Sequence, residues 1–262
     1  KAYIVLNLSK NMNRIIHLDK SSLLATFQAG IKGPEIERIL NENGFTLSHY
    51  PQSFEFSTLG GWAATRSAGQ QSTKYGKIEK MINSLKMIYT NGEIETKKLP
   101  MKATGPDLDQ IIIGSEGIFG IITEITVKIH YLPEEKDYRA YLFENFQTGI
   151  NFIQDLIQKH EIYPAMVRLS DEVETKLLFK LSEKKNFSKQ IIDSIAKNYI
   201  KNIKKFETDN SSLMLIGLEG NKREIDNTNN NISKIDHINK KLQFMKICAT
   251  SGTMGACQKI DE

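Results

Sequence analysis

Two short glycine-rich strings constrain this chain more than anything else in it. The first runs Gln52-Ser53-Phe54-Glu55-Phe56-Ser57-Thr58-Leu59-Gly60-Gly61-Trp62-Ala63-Ala64-Thr65-Arg66-Ser67-Ala68-Gly69; the second runs Gly114-Ser115-Glu116-Gly117-Ile118-Phe119-Gly120-Ile121-Ile122. Each gathers Gly, Ser and Thr beside strand-like sequence. Small residues let a ligand approach the backbone, where N–H groups meet phosphate oxygens or ring carbonyls. One such loop alone is as readily a plain turn. Two of them suggest a large, flat, polyanionic cofactor. Neither fits the familiar phosphate patterns. Gly114 to Gly120 lacks the Lys-Ser/Thr end of a nucleoside-triphosphate loop, and no Gly-x-Gly-x-x-Gly opens a helix.

At 262 residues the chain can hold one or two domains and bury a sizeable core. A net charge of +4, with no basic and aromatic stripe, gives no reason to expect a nucleic-acid partner. No apolar run approaches the roughly 20 residues that span a bilayer. Cys248 and Cys257 are too few and too ill-spaced for a zinc site and read as free thiols, so no metal site is expected. His17, His49, His130, His160 and His237 are scattered and read as surface or satisfied core residues.

The pattern predicts an α+β chain. Strands are expected at 3–8, 15–18 and 23–29. A helix opens at Gly33-Pro34-Glu35 and closes at Gly44, because Pro suits a first turn and Gly a last one. A loop follows over 48–69, then a hairpin of 84–89 and 93–96 about Asn91-Gly92. A short helix over 107–113 runs into the second glycine string, and a strand over 121–129 ends before Pro133. Pro and charge over 132–136 mark a domain boundary, giving residues 1–132 and 133–262. Beyond it strands are expected at 139–143, 165–169, 212–218 and 242–247. Helices are expected at 146–160, 171–205 and 221–241. Two β-α-β units with helices on one side predict a ferredoxin-like α/β sandwich. The Lys-rich run over 180–205 reads as a solvated helix face, with a peripheral membrane contact as the alternative.

Taken in order, several motifs resemble a known family. They are Ser53-x-Glu55-Phe56-Ser57-Thr58-x-Gly60-Gly61-Trp62, Thr65-Arg66, Tyr75-Gly76-x-Ile78-Glu79, Thr104-Gly105-Pro106-Asp107 and Gly114-Ser115-Glu116-Gly117. They look like the alkylglycerone-phosphate synthase (alkyldihydroxyacetonephosphate synthase) branch of the FAD-linked oxidases of the vanillyl-alcohol-oxidase type. The resemblance covers residues 1 to about 175; Phe54-Glu55-Phe56 and Trp62 point to the synthase branch. It implies the second half of a PCMH-type FAD-binding domain over 1–132, followed by an FAD-linked-oxidase cap domain over 133–262. The family's upstream pyrophosphate loop and its downstream Tyr and His run have no counterpart here, so the resemblance implies a piece of a longer protein. It implies location in the cytoplasm for a bacterial protein and in the peroxisome for a eukaryotic one.

The resemblance also implies site residues. Gln52, Ser53, Phe54, Glu55, Phe56, Ser57 and Thr58 would line FAD. Thr65, Arg66, Ser67 and Ala68 would form a second contact, with Arg66 supplying charge. Glu116, Gly117, Ile118, Phe119, Gly120, Ile121 and Ile122 would form a third. Two departures stand out: Gln52 replaces an Asp, and Arg66-Ser67-Ala68 replaces Arg-Ala-Ser. Arg168, in Ala165-Met166-Val167-Arg168-Leu169-Ser170-Asp171, matches an activity-critical segment; the plain alternative is a surface Arg paired with Asp171 or Glu172. The implied reaction exchanges the acyl chain of an acyl-dihydroxyacetone phosphate for a fatty alcohol, with no net redox at the flavin. The alternative is oxidation of a 2-hydroxy acid such as D-lactate or glycolate. The partner is a small-molecule or lipid substrate, and a homodimer is left open.

Overall fold

The computed structural model describes residues 5–100, 103–184, 211–239 and 243–247. The chain divides into two compact units, Lys1–Leu132 and Pro133–Glu262.

The first unit contains β1 (Ile15–Asp19), β2 (Leu24–Gln28), α1 (Gly33–Glu42), β3 (Phe45–Thr46), α2 (Leu59–Ala64), α3 (Ser72–Tyr75), α4 (Ile78–Met81), β4 (Ile82–Tyr89), β5 (Gly92–Glu95), α5 (Leu108–Ile112), β6 (Ile121–Lys128) and β7 (His130–Tyr131). Five strands form an antiparallel sheet in the order β1-β2-β6-β4-β5, and β3 pairs with β7. The core gathers Phe27, Ile36, Leu40, Trp62, Leu85 and Ile125, all nearly or fully buried. α1 starts with Pro in its first turn, and Gly44 follows it at φ +83°. Its buried Glu37 accepts the Leu47 and Ser48 N–H groups and the Thr46 hydroxyl. That fixes the chain leading into the first glycine string.

The second unit contains β8 (Glu135–Phe143), α6 (Phe146–Gln154) continued by a π-helical turn (Asp155–Lys159), β9 (Met166–Ser170), α7 (Glu172–Lys184), β10 (Ser212–Gly220), α8 (Lys222–Asn239) and β11 (Gln243–Ile247). The sheet order is β11-β8-β10-β9, all antiparallel. This is the strand order 4-1-3-2 of a ferredoxin-like sandwich, the fold expected from the sequence, with α7 added between its second and third strands. Tyr141, Phe143, Phe152, Ile216 and Ile232 fill the core on the helix side.

Several local expectations are corrected. The strand over 3–8 is absent from its described part. Asn7 instead caps a 3₁₀ turn, Leu8–Lys10, taking the Ser9 N–H at 3.0 Å; such side-chain bonds compete with strand pairing. The loop over 48–69 contains α2, hidden by its two glycines, which weaken helix propensity. The hairpin turns on Thr90 and Asn91, because Tyr89 pairs with Gly92. Met87 opposite Ile94 sets that register by putting both on one side. The predicted helix over 171–205 is described only to Lys184, and Cys248 and Cys257 lie outside the described residues.

Candidate functional site

Two backbone bonds seat the first string. The Leu59 N–H donates to Ile31 O at 2.9 Å and the Gly60 N–H to Ala29 O at 2.7 Å, so α2 begins on the chain leaving β2. A Cβ on Gly60 would lie 2.8 Å from the Ala29 Cβ, so this glycine is there for packing. Gly61 differs. An added Cβ would meet only Thr58 Oγ1, at 3.4 Å, which leaves that side of the turn open. Thr58 caps α2 by accepting the Gly61 N–H at 3.3 Å.

Trp62 organises the turn before it. Its indole N–H donates to Ser57 Oγ at 2.6 Å, and the Ser57 hydroxyl donates to Ser53 O at 2.7 Å. Phe54 stacks on Trp62 with ring centroids 6.3 Å apart and meets Tyr50 at 5.0 Å. The Phe54 ring also fills the space a Cβ on Gly33 would take. Phe54 therefore braces the turn, while Gln52, Ser53, Glu55 and Phe56 are exposed.

The second string is joined to the first. The Gly114 N–H donates to Ala63 O at 2.9 Å and the Glu116 N–H to Ala64 O at 3.0 Å. These are carbonyls of the last turn of α2, where the helical ladder runs out; Ala63 O otherwise takes only local N–H groups at the helix end, among them Arg66 N–H at 3.4 Å. Arg66 reinforces the joint: Nη1 donates to Gln110 Oε1 at 3.0 Å and Nη2 to Gln110 O at 2.7 Å. Its side chain runs across Gly114, where a Cβ would fall 2.6 Å from Arg66 Nε. The Arg66 charge, expected at the cofactor, is thus engaged with Gln110. Arg66 and Glu116 both take left-handed backbone, at φ 51° and 52°. At Gly117, φ is +84° and the space beside it is open; at Gly120 a Cβ would collide with Ile88 O at 2.3 Å.

The remaining expected residues divide by exposure. Thr65, Ala68, Glu116, Gly117, Ile118, Phe119 and Ile121 are exposed; Ile122 is a core residue whose side chain cannot cover a cofactor. The Thr65 hydroxyl bonds back to Gly61 O at 2.9 Å. Ser67 Oγ lies 3.2 Å from His49 Nε2.

His49 was not among the expected residues. It is 1% exposed and sits edge-on to Trp62 with centroids 5.0 Å apart. Burial pushes its imidazole down to about 4, with Glu79 opposing, so the ring is neutral near pH 7. Its Nδ1 is a buried nitrogen with no partner among the described residues. The sequence signal was position alone: it precedes the first string by three residues. A neutral orphaned ring nitrogen, open backbone at Gly61 and Gly117, and the two joined strings fit an extended cofactor that presents many acceptors and one flat ring.

In the second unit, Arg168 lies on β9 opposite Leu215, exposed, with Val167 and Leu169 packed against the core on the other face. It pairs with Glu174 of α7, not with Asp171 or Glu172. Asp171 instead accepts the Glu174 N–H, and Glu172 accepts the Phe146 N–H.

The FAD binding domain family matches residues 1–97, and the family of FAD linked oxidases, C-terminal domain, matches 132–255. FAD is the cofactor these domains indicate. An alkyldihydroxyacetonephosphate synthase of Dictyostelium discoideum is 39% identical over 217 residues, covering 83% of this chain and 35% of that protein. A solved alkyldihydroxyacetonephosphate synthase structure superposes with a TM-score of 0.80 at 35% identity, covering 93% of this chain and 43% of that one. The glycolate oxidase subunit GlcD of Bacillus subtilis is more distant, at 33% over 167 residues, 63% of this chain and 35% of that protein. The chain spans about a third of the length of these curated relatives. Two domain matches in sequence order, with these relatives and this structural likeness, show that the chain belongs to the FAD-linked oxidases, on their alkyldihydroxyacetonephosphate synthase branch.

Proposed function

We propose that this chain is part of an FAD enzyme that exchanges the acyl group of an acyl-dihydroxyacetone phosphate for a fatty alcohol. The observation that supports this best is the Phe54–Trp62 stack, which braces the turn before α2, the helix on which the two strings meet. Phe54 and Trp62 belong to the motif by which this sequence resembles the synthase branch. In this reading the backbone at Gly61 and Gly117 and the Ser53–Thr58 turn hold FAD. When held there, FAD would supply the covalent chemistry of an exchange that has no net redox. His49, neutral near pH 7, offers one N–H and one lone pair rather than a standing charge. Arg168 offers a planar fork for the phosphate.

The test uses the whole protein, reconstituted with FAD and expected to be yellow. It should incorporate a labelled fatty alcohol into alkyl-dihydroxyacetone phosphate and fail to reduce a dye with D-lactate or glycolate. The opposite pattern would establish the 2-hydroxy-acid oxidation that the GlcD likeness keeps as a second reading. A colourless protein that takes up no FAD would remove both.

A further inference from the structure

The helix on which the two strings meet ends in a turn that needs support. After α2 the Arg66 N–H donates to Ala63 O at 3.4 Å and the Ser67 N–H to Trp62 O at 3.0 Å, with Arg66 left-handed at φ 51°. Glycine usually takes that place in such a cap, because a side chain there is strained. Strained backbone of this kind persists where its surroundings hold it. The same turn leaves Ala63 O and Ala64 O facing the Gly114 and Glu116 N–H groups, so its geometry sets how the second string meets the first. His49 supplies a hold from outside the helix. Its ring is 1% exposed and touches two parts of the first string. On one side it sits edge-on to Trp62, whose indole N–H holds Ser57. On the other, Nε2 is 3.2 Å from Oγ of Ser67, the residue after Arg66. The backbone is stitched alongside: the Gln70 N–H donates to Tyr50 O at 3.0 Å and the Ile78 N–H to Ser67 O at 3.2 Å. A Cβ on Gly69 would fall 2.8 Å from Tyr50 N and 3.1 Å from His49 Nδ1, so glycine lets this return segment close over the ring. The ring is costly where it sits, since Nδ1 is buried with no partner among the described residues. An apolar ring would avoid that cost, so stability alone does not account for a histidine here.

We propose that His49 is a positioning residue for FAD: through Ser67 it fixes the left-handed turn at Arg66, and with it the relation of the two strings that receive the cofactor. The inference rests on the reading of those strings as the segments that hold FAD. His49 acts through the Ser67 hydroxyl and the backbone behind it. Burial keeps the ring neutral near pH 7, so its bond to Ser67 joins two uncharged groups and a glutamine amide can replace it.

The test is FAD titration of the whole protein stripped of its cofactor, followed by flavin fluorescence and by the visible circular dichroism of the bound flavin, beside a thermal melt of the apoprotein. His49→Phe keeps a flat ring and removes the bond. It should melt at or above the wild-type temperature, bind FAD about tenfold more weakly and change the flavin dichroism. Ser67→Ala should reproduce the loss, and the double variant should lose no more than either alone. His49→Gln should bind FAD within about threefold of wild type. Wild-type affinity in Ser67→Ala overturns the proposal, even where His49→Phe does not fold. Additive losses overturn it too, as does a Gln variant as weak as the Phe variant. An affinity that falls only together with melting temperature makes His49 a core residue and likewise overturns it. Gly117→Ala keeps the underlying reading apart. Affinity lost there but kept in Ser67→Ala ends the role of His49 alone, while affinity kept in both ends the reading of the strings as well.

Discussion

Acidification should destabilise the first unit through His49, and the size of the effect follows from its surroundings. The ring is 1% exposed, lies against Trp62, and titrates near 4 when folded. In the unfolded chain an imidazole titrates near about 6.5. As pH falls, the unfolded state takes up its proton first, so it binds more protons throughout that window. Stability therefore rises with pH there. The contribution is fully present above about pH 7 and is lost progressively toward pH 4. At about 1.4 kcal/mol per pH unit, the loss by pH 4 is about 3 kcal/mol. Carboxylates titrate over part of the same range, so the measurement is a comparison with His49→Gln. That variant keeps a hydrogen-bonding group for Ser67 and cannot take a proton. Urea unfolding from pH 7.5 to 4, followed by the emission of the chain's single tryptophan, reads this unit directly. Wild type should lose about 3 kcal/mol more than the variant on the way down. Parallel stability curves would refute the reasoning, because they would mean that the folded ring accepts a proton as easily as the unfolded one.

Other substitutions separate the roles of individual residues. Gly117→Ala meets open space, so its cost should be the left-handed backbone alone, about 1–2 kcal/mol in a thermal melt, with flavin uptake sharply reduced; normal FAD content would mean the loop is an ordinary turn. Gly114→Ala adds a collision with Arg66 to the same backbone cost and should lower stability by about 3 kcal/mol or more; a cost equal to that of Gly117→Ala would show that Arg66 moves aside freely. Trp62→Phe should weaken FAD binding by removing the bond to Ser57, and adding Ser57→Ala should then cost nothing further in flavin affinity; additive losses would exclude that bond as the link. Arg168→Lys keeps the charge and loses the fork, so kcat/KM should fall tenfold or more, about 1.4 kcal/mol, with melting temperature and FAD content unmoved. Collapsed stability instead would make Arg168 a structural arginine.

Much of the architecture was legible in the sequence because it is written in local periodicity. Helix α1 carries its own start and stop in Pro34 and Gly44, and each strand and helix of the second unit shows its own pattern, which leads to the ferredoxin-like order. The alternation around Arg168 likewise puts it on the face opposite Val167 and Leu169. Expectations failed where distant groups decide. The hairpin loop shifted by one residue because the sheet sets the Met87–Ile94 pairing, and Arg168 found Glu174 because the cap of α7 turns Glu174 toward it while Glu172 serves α6.

The order of motifs led by itself to the expectation that the two glycine strings serve one cofactor. Only the tertiary structure decided what each residue in them does. Arg66 and Gln110 are 44 residues apart and meet because the last turn of α2 receives the second string. His49 gained its neutral ring from burial beside Trp62, which nothing in its own neighbours in sequence announces. The four glycines make the point most plainly. Gly60 and Gly120 press against the carbonyls of Ala29 and Ile88, while Gly61 and Gly117 border open space. The letter is the same in each case. The difference comes from which strand the antiparallel sheet brings against the backbone, and that is a property of the fold rather than of the string.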